Sequence, residues 1–256
     1  MKQTHKPPIG STRLKARDRA DVVLVERGLF ESRAKAQAAI AAGLVTVDGA
    51  PVRKAADLID AAAAIVAEAP HPYVSRGGVK LAAALDAFAV DPSGRLCADI
   101  GASTGGFTEA LLARGARRIY AVDVGHGQLH RRLAADPRVV NLERTDIRRL
   151  DKGSLPEPID LAVVDVSFIS LKLVLPAAID LLQPKADLVA LIKPQFEAGR
   201  EHVGKGVVRN ETVQRAACDA VEAVLRARGF AILGPIASPI LGGDGNREFL
   251  IGARRG

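Results

Sequence analysis

The chain has 256 residues and a mass of 26.9 kDa, long for one ordinary domain and short for three, so two unequal domains are expected. A hydrophobic fraction of 48% beside 25% charged residues excludes wholesale disorder, and no apolar run approaches the roughly 18 residues of a membrane-spanning helix. The net charge of +7 favours a polyanionic partner, and the opening MKQTHKPPIG lacks the apolar stretch of a secretory signal, which predicts a cytoplasmic protein.

Basicity is concentrated at the start. The first 60 residues hold 11 Lys and Arg against 7 Asp and Glu, leaving 25 against 22 for the other 196. Residues 13–69 are expected to form the first domain. Val22, Val25 and Leu29 recur at helical spacing, Gly28 can end that helix, and Ser32 is placed to cap a second one that runs to Ala42 and stops at Gly43. Val45 and Val47 then alternate with polar residues before Asp48-Gly49, a hairpin-turn signal, and Val52 resumes beyond it.

Arg33 and Lys35 fall in the first turn of the second helix, where the dipole disfavours cations and free N–H groups welcome an anion. A bound phosphate would resolve that conflict. With Arg13, Lys15, Arg17 and Arg19 just upstream, these residues predict a basic face for nucleic acid. The stretch VERGLFESRAKAQAAIAAGLVTVDGAPV resembles the S4 RNA-binding module. That resemblance implies a small α+β domain that docks on structured RNA through shape and phosphates.

EAPHPYVS (68–75) contains two prolines and reads as a linker, placed at 70–75, with the second domain at 76–256. The Ala-rich run 55–69 before it is expected to be helix or strand core. In the second domain LCADI (96–100), RIYAVDV (118–124), RVVNL (138–142), DLAVVDV (160–166), DLVALI (187–192), FAILGPI (230–236) and REFLIGA (247–253) read as strands. Helical stretches at Phe107–Arg114, Leu171–Leu182 and Thr212–Arg228 lie among them. Seven strands with interleaved helices predict a doubly wound, Rossmann-like α/β sheet, whose ligands bind outside the carboxyl ends of the strands.

The first of these strands runs into DIGASTGGFTEALLARG (99–115), a glycine-rich turn opening a helix. It is neither G-x-G-x-x-G nor a P-loop, so a phosphate cradle is not indicated. Asp99, Gly101, Ala102, Ser103, Thr104, Gly105, Gly106 and Phe107 form the candidate cofactor turn. Asp123, with Val124 beside it, ends the next strand 22 residues past Gly101, where a carboxylate can accept the hydroxyls of a ribose. Asp146 follows the third strand, placed to receive an adenine amine. Together they point to an adenosine cofactor without a pyrophosphate cradle, S-adenosylmethionine. Helix N-capping is the structural alternative for both acids.

Lys80 lies on a helix whose Leu81, Leu85 and Phe88 repeat at i, i+4, i+7; Asp165 ends LAVVD, Lys193 ends VALIK, and Glu248 opens the last strand. An acid and a lysine ending apolar strands need a partner or a chemical use. One structural salt bridge would explain one pair and leave the other. In order and setting the four match the K-D-K-E tetrad of FtsJ/RrmJ-type ribose 2′-O-methyltransferases. With the S4-like segment in front, and with SRGGVKL, DIGASTGGFT, VVDVSFISL, LIKPQFE, GKGVVR and REFL present, the chain resembles the TlyA (hemolysin A) family from about residue 13 to 253.

The resemblance implies 2′-O-methylation of cytidine in ribosomal RNA, 16S, 23S or both, with ribosomal subunits as partners and no metal. Such chemistry must align a poor nucleophile with an activated methyl group and take one proton. Lys193 is either the base, its pKa lowered by desolvation and by Lys80, or a charged donor to the developing alkoxide. Asp165 would orient the amine and Glu248 would position Lys80. Arg76 and Lys205, the latter in a basic glycine-rich loop with Arg200 and Arg209, are expected at the RNA-facing mouth.

His126 and His130, four apart on an expected helix, lack a third metal ligand and read as surface residues. Cys97 and Cys218 read as buried bystanders. Two rival functions are a noncatalytic RNA-binding or ribosome-assembly factor and a membrane-active protein. The intact tetrad opposes the first, and the lack of a spanning segment and the 4% aromatic content oppose the second. Nothing in the sequence fixes the oligomeric state.

Overall fold

The computed structural model describes residues 16–67, 71–150, 152–242 and 245–256, so Arg13 and Lys15 lie outside the described residues. The chain divides into two compact units after Pro72.

The N-terminal unit runs β1 (Arg17–Arg19), α1 (Ala20–Glu26), α2 (Arg33–Ala41), β2 (Val45–Val47), β3 (Ala50–Pro51), β4 (Leu58–Asp60) and β5 (Ile65–Ala67). β1 pairs with β4, and β3, β2 and β5 form a three-stranded antiparallel sheet. The Ala-rich run 55–69 therefore contributes strands. Ser32 caps α2 by accepting from the Lys35 N–H at 3.3 Å, and Asp48 and Gly49 both take positive φ (50° and 80°), as a two-residue hairpin turn requires. The buried face of α1 differs from the predicted one. Ala20, Val23 and Leu24 pack with Phe30, Ile40 and Val45, while Leu29 lies beyond the helix and is exposed. The helix turns this way because Asp21 is wholly buried beside Leu24, on a side that an apolar count would assign to solvent.

The second unit runs α3 (Gly77–Ala87), β6 (Leu96–Ile100), α4 (Gly106–Ala113), β7 (Arg118–Val122), α5 (Arg131–Ala134), β8 (Val139–Leu142), β9 (Ile159–Val164), α6 (Leu171–Asp180), β10 (Leu182–Ile192), α7 (Pro194–Glu197), α8 (Glu211–Ala227), β11 (Ala231–Ile232), β12 (Ile236–Ala237) and β13 (Phe249–Arg255). The sheet order is β11-β13-β10-β9-β6-β7-β8, with β12 also on β13. β10, β9, β6, β7 and β8 are parallel, and β13 is antiparallel to β10. The sheet has eight strands instead of seven because the 230–236 run splits in two at Gly234-Pro235, where proline has no N–H to give the ladder.

Apolar layers cover both faces. One is built from α6 and α8, with Leu175, Val221 and Leu225 at 0% exposure, the other from α3 and α4 through Leu81, Leu85, Phe107 and Leu111. Each such leucine contributes about 1.5–3 kcal/mol. Cys97 and Cys218 are free buried thiols, and burial pushes them up to about 12 and about 11. Among the described residues no helix is long and apolar enough to cross a membrane.

Chain order climbs from β6 to β8 on one side and from β9 to β10 on the other, so the crevice between β6 and β9 is the topological switch point. The antiparallel register pairs Ile192 with Phe249. Glu248, entering β13, therefore shares the rim that Lys193 reaches on leaving β10.

Candidate active site

Gly101 follows β6 with φ +85°, and a Cβ there would overlap the carbonyl oxygen of Asp165. A Cβ on Gly106 would overlap Ser75 Oγ. Both glycines are thus required first by chain-to-chain packing, which draws the turn against the end of β9 and the start of α3. Gly101 and Ser103 line a cavity of about 490 Å³ together with Asp123, Val124, Asp146 and Phe168. That volume is in the range of small-molecule sites.

Asp123 accepts the N–H of Ser103 (2.8 Å) through one oxygen and that of Gly125 (2.7 Å) through the other. Each oxygen keeps a further lone pair. Asp146 caps the short turn Ile147–Arg149 through Arg148 N (3.0 Å) and also takes the Arg148 guanidinium (2.6 Å), which holds its carboxyl down at about 2. The capping alternative is realised at Asp146, and an adenine amine would have to compete with Arg148. Asp99 is wholly buried behind the turn. Thr108 Oγ1 donates to its Oδ2 at 2.6 Å, its Oδ1 has no partner, and burial pushes the carboxyl up to about 7. Asp99 does not line this cavity, so the ligand-facing polar group on this side is the pinned Asp123 carboxylate, whose free lone pairs suit the hydroxyls of a nucleoside. Among the described residues no group of three or more His, Cys, Asp or Glu side chains could hold a metal.

A second cavity, of about 290 Å³, holds the catalytic candidates. Ala102, Thr104, Gly106 and Phe107 line it on the turn side, and Arg76, Lys80, Asp165 and Lys193 on the other. Gly105, at φ +96° before α4, lines neither cavity; a Cβ there would overlap Leu133. The two cavities share Gly101, Ser103, Asp165 and Ser167.

The four charged residues form two pairs. Lys80, 7% exposed on the buried face of α3, donates to Glu248, itself 4% exposed. A Cβ on Gly242 would overlap Glu248, so glycine there makes room for the carboxylate. Lys193 Nζ lies 2.6 Å from Asp165 Oδ1 and donates to Ser167 Oγ at 2.8 Å. The Asp165 contact is off the direction of a hydrogen bond and acts as an ion pair. Pro194, at the first position of α7, keeps Lys193 extended at the strand end. The structure thus brings together three of the four around one cavity and ties the fourth, Glu248, to Lys80.

The basic residues predicted for RNA are divided. Arg19 and Arg33 bond the buried Asp21 carboxylate (3.0 and 2.8 Å), and Lys35 pairs with Glu31 (2.7 Å). The cations expected to await a phosphate are therefore already neutralised by acids of their own unit. Burial alone would raise Asp21, but bonds from Arg19, Gln37 and Arg33 outweigh it and hold the carboxyl far below its usual range. Arg17, Arg76 and Lys205 are exposed and make no ion pair among the described residues. His126 and His130 precede α5 and do not share a helix. His130 Nδ1 caps α5 by accepting from Arg132 N–H, and His126 Nδ1 lies 3.6 Å from Glu143.

Sequence reasoning missed Ser167 and Phe168. Phe168 is 92% exposed, adopts φ +64°, and packs on Phe196 with ring centroids 5.2 Å apart. A non-glycine residue in the left-handed region is uncommon, and here the turn is held by the ring contact with Phe196. The available signal was position, since both follow a strand-end acid directly.

A family model for FtsJ-like methyltransferases matches residues 73–255, and one for the S4 domain matches 18–65. The 16S/23S rRNA (cytidine-2′-O)-methyltransferase TlyA of Mycobacterium tuberculosis is 46% identical over 241 residues, 93% of this chain and 90% of that protein. Hemolysin A of Brachyspira hyodysenteriae is 39% identical over 234 residues, 91% of this chain and 98% of its own. A solved structure of a hemolysin-named protein from Streptococcus thermophilus matches with a TM-score of 0.74 and 41% identity, covering 94% of this chain and 89% of that one.

Proposed function

The chain belongs to the FtsJ-like methyltransferase family and, within it, to the TlyA group that carries an S4 domain in front, and from that premise we propose that it transfers a methyl group from S-adenosylmethionine to the ribose 2′-hydroxyl of cytidine in ribosomal RNA. One observation carries the reading: Lys80, Asp165 and Lys193 converge on a cavity that shares a wall with the nucleoside-sized one. The N-terminal domain, 13–69, would dock on rRNA and the second, 76–256, would catalyse, joined by the linker 70–75. An rRNA substrate would be met in the cytoplasm.

When bound, S-adenosylmethionine supplies a sulfonium-activated methyl group. Asp123 would hold the cofactor ribose, Asp146 the adenine edge, and the turn 101–107, with Asp99 behind it, the remainder. Lys193, fixed between a carboxylate and a hydroxyl, is arranged as a donor to the ribose oxygen as that oxygen takes the methyl group from the sulfonium sulfur, leaving a neutral thioether, and passes its proton to water. Asp165 keeps the amine in place, and Lys80, its charge balanced by Glu248, lines the cavity beside it.

The test incubates the full chain with tritiated S-adenosylmethionine and ribosomal subunits, then digests the rRNA and identifies the labelled nucleoside. 2′-O-methylcytidine is expected, with Lys193→Ala slower by roughly 10²- to 10⁴-fold. Undiminished transfer by Lys193→Ala, or label on a base, would overturn the reading.

A further inference from the structure

We propose that Ser167 is a positioning residue for the methyl transfer, acting by fixing the direction of the Lys193 amine; this rests on the ribose-methylation reading above. The Ser167 hydroxyl makes the one well-directed hydrogen bond of that amine among the described residues, at 2.8 Å, since the 2.6 Å approach to Asp165 is an ion pair off the bond direction. An ammonium carries three donors in a fixed tetrahedral array. An attraction to Asp165 alone leaves the amine free to turn about its last bond, whereas a second tie to Ser167 fixes where the third donor points.

The placement of Ser167 suits that task. It belongs to the wall common to both cavities, where a methyl group must pass from donor to acceptor. Of the four residues in that wall, Asp165 forms the ion pair with Lys193, Gly101 has no side chain, and the hydroxyl that bonds Lys193 is that of Ser167.

The loop bearing it is anchored at both ends. Asp165 N–H donates to Ile100 O at 2.9 Å, and Glu197 of α7 accepts from Ser170 Oγ (2.6 Å) and Leu171 N–H (2.7 Å). The Phe168–Phe196 ring contact adds a tie between the same two segments. Lys193 and Ser167 are therefore carried by pieces of chain that are locked together, which is what holds a reacting group within a fraction of an ångström. Accepting from Lys193 uses a lone pair of Ser167 and leaves its own O–H available to the ribose oxygen.

The test uses the full chain and compares Ser167→Ala, Ser167→Thr and Lys193→Ala in single-turnover methyl transfer to ribosomal subunits, with cofactor affinity read by calorimetry. Ser167→Ala is expected to lower the saturating single-turnover rate constant roughly 10- to 100-fold, with cofactor affinity and the half-saturating RNA concentration within about twofold, and Ser167→Thr, which keeps the hydroxyl, is expected to recover most of the loss. Ser167 is exposed in a loop, so alanine should not unfold the domain. The inference is overturned if Ser167→Ala matches the wild type, if its loss is confined to the half-saturating RNA concentration or cofactor affinity, or if threonine does not rescue. Failure of the underlying function looks different: the wild type itself would then yield no 2′-O-methylated nucleoside.

Discussion

Asp21 in the N-terminal unit and Asp99 in the second are both wholly buried, yet they are treated in opposite ways. Asp21 receives Arg19, Arg33 and Gln37 at 2.6–3.2 Å and is held firmly ionised. Asp99 receives Thr108 alone, retains an orphaned oxygen, and is pushed up to about 7. A saturated buried ion serves the fold that saturates it. An undersatisfied one is tolerated only because the surrounding layers hold it, and it shifts toward its neutral form instead.

The sharpest way to break this comparison is to remove one acid from each unit. Glu248→Ala leaves Lys80 buried without its partner and should destabilise the second unit by about 3–5 kcal/mol. Asp21→Ala leaves Arg19 and Arg33, whose side chains are 42% and 55% exposed, free to be solvated by water, so about 1.5–3 kcal/mol is expected. Urea unfolding followed unit by unit measures both. Equal losses, or the reverse order, would show that burial of the cation left behind does not set the cost of removing its acid.

How much of this was legible in the sequence follows the same line. The parallel strands, the glycine turn and the strand-end placement of Asp123, Asp165 and Lys193 could be read, because apolar runs and rim positions are local signals. Asp21 could not, since burial of an acid depends on donors that arrive from α2, 12 and 16 residues later. For the same reason Arg33 and Lys35 read as anion-seeking cations when acids nearby had already met them. The pairing of Lys80 with Glu248 across 168 residues depends on β13 being antiparallel, which no residue spacing encodes. Ser167 was hidden because a serine after a strand is ordinary until a lysine from the next strand reaches it.

A smaller effect tests Asp99 directly. Its folded value near 7 lies above the unfolded aspartate value of about 4, so between these two the folded chain binds a proton that the unfolded chain has lost. Stability must therefore fall as pH rises through that window and level off above it, with a slope of at most about 1.4 kcal/mol per pH unit. Asp99→Asn removes the titration. Urea midpoints of wild type and Asp99→Asn should diverge from pH 5 to about 7, with the variant gaining on the wild type, and run parallel above that. Curves parallel throughout would mean that Asp99 is better satisfied than its single bond to Thr108 implies.

The mildest perturbations act on the surface cations, and they ask whether pairing within a unit removes a side chain from RNA binding. Among the described residues Arg76 and Lys205 are exposed without an ion-pair partner, so each is able to displace counterions from a phosphate. Replacing either with alanine should reduce the slope of log affinity against log salt by about 1. Arg17, whose guanidinium reaches only a carbonyl at 3.4 Å, should behave like them. Arg33 is different, because its charge is already balanced by Asp21, and exchanging a carboxylate for a phosphate releases no net counterion from the protein side. Arg33→Ala should leave the slope nearly unchanged while weakening the unit modestly through the lost bond. Fluorescence anisotropy of a labelled rRNA fragment across a potassium chloride series separates these outcomes. A slope change at Arg33 as large as that at Lys205 would mean that Asp21 surrenders its arginine when RNA arrives, and the N-terminal unit would then belong with the second, as a site whose ions are held in readiness.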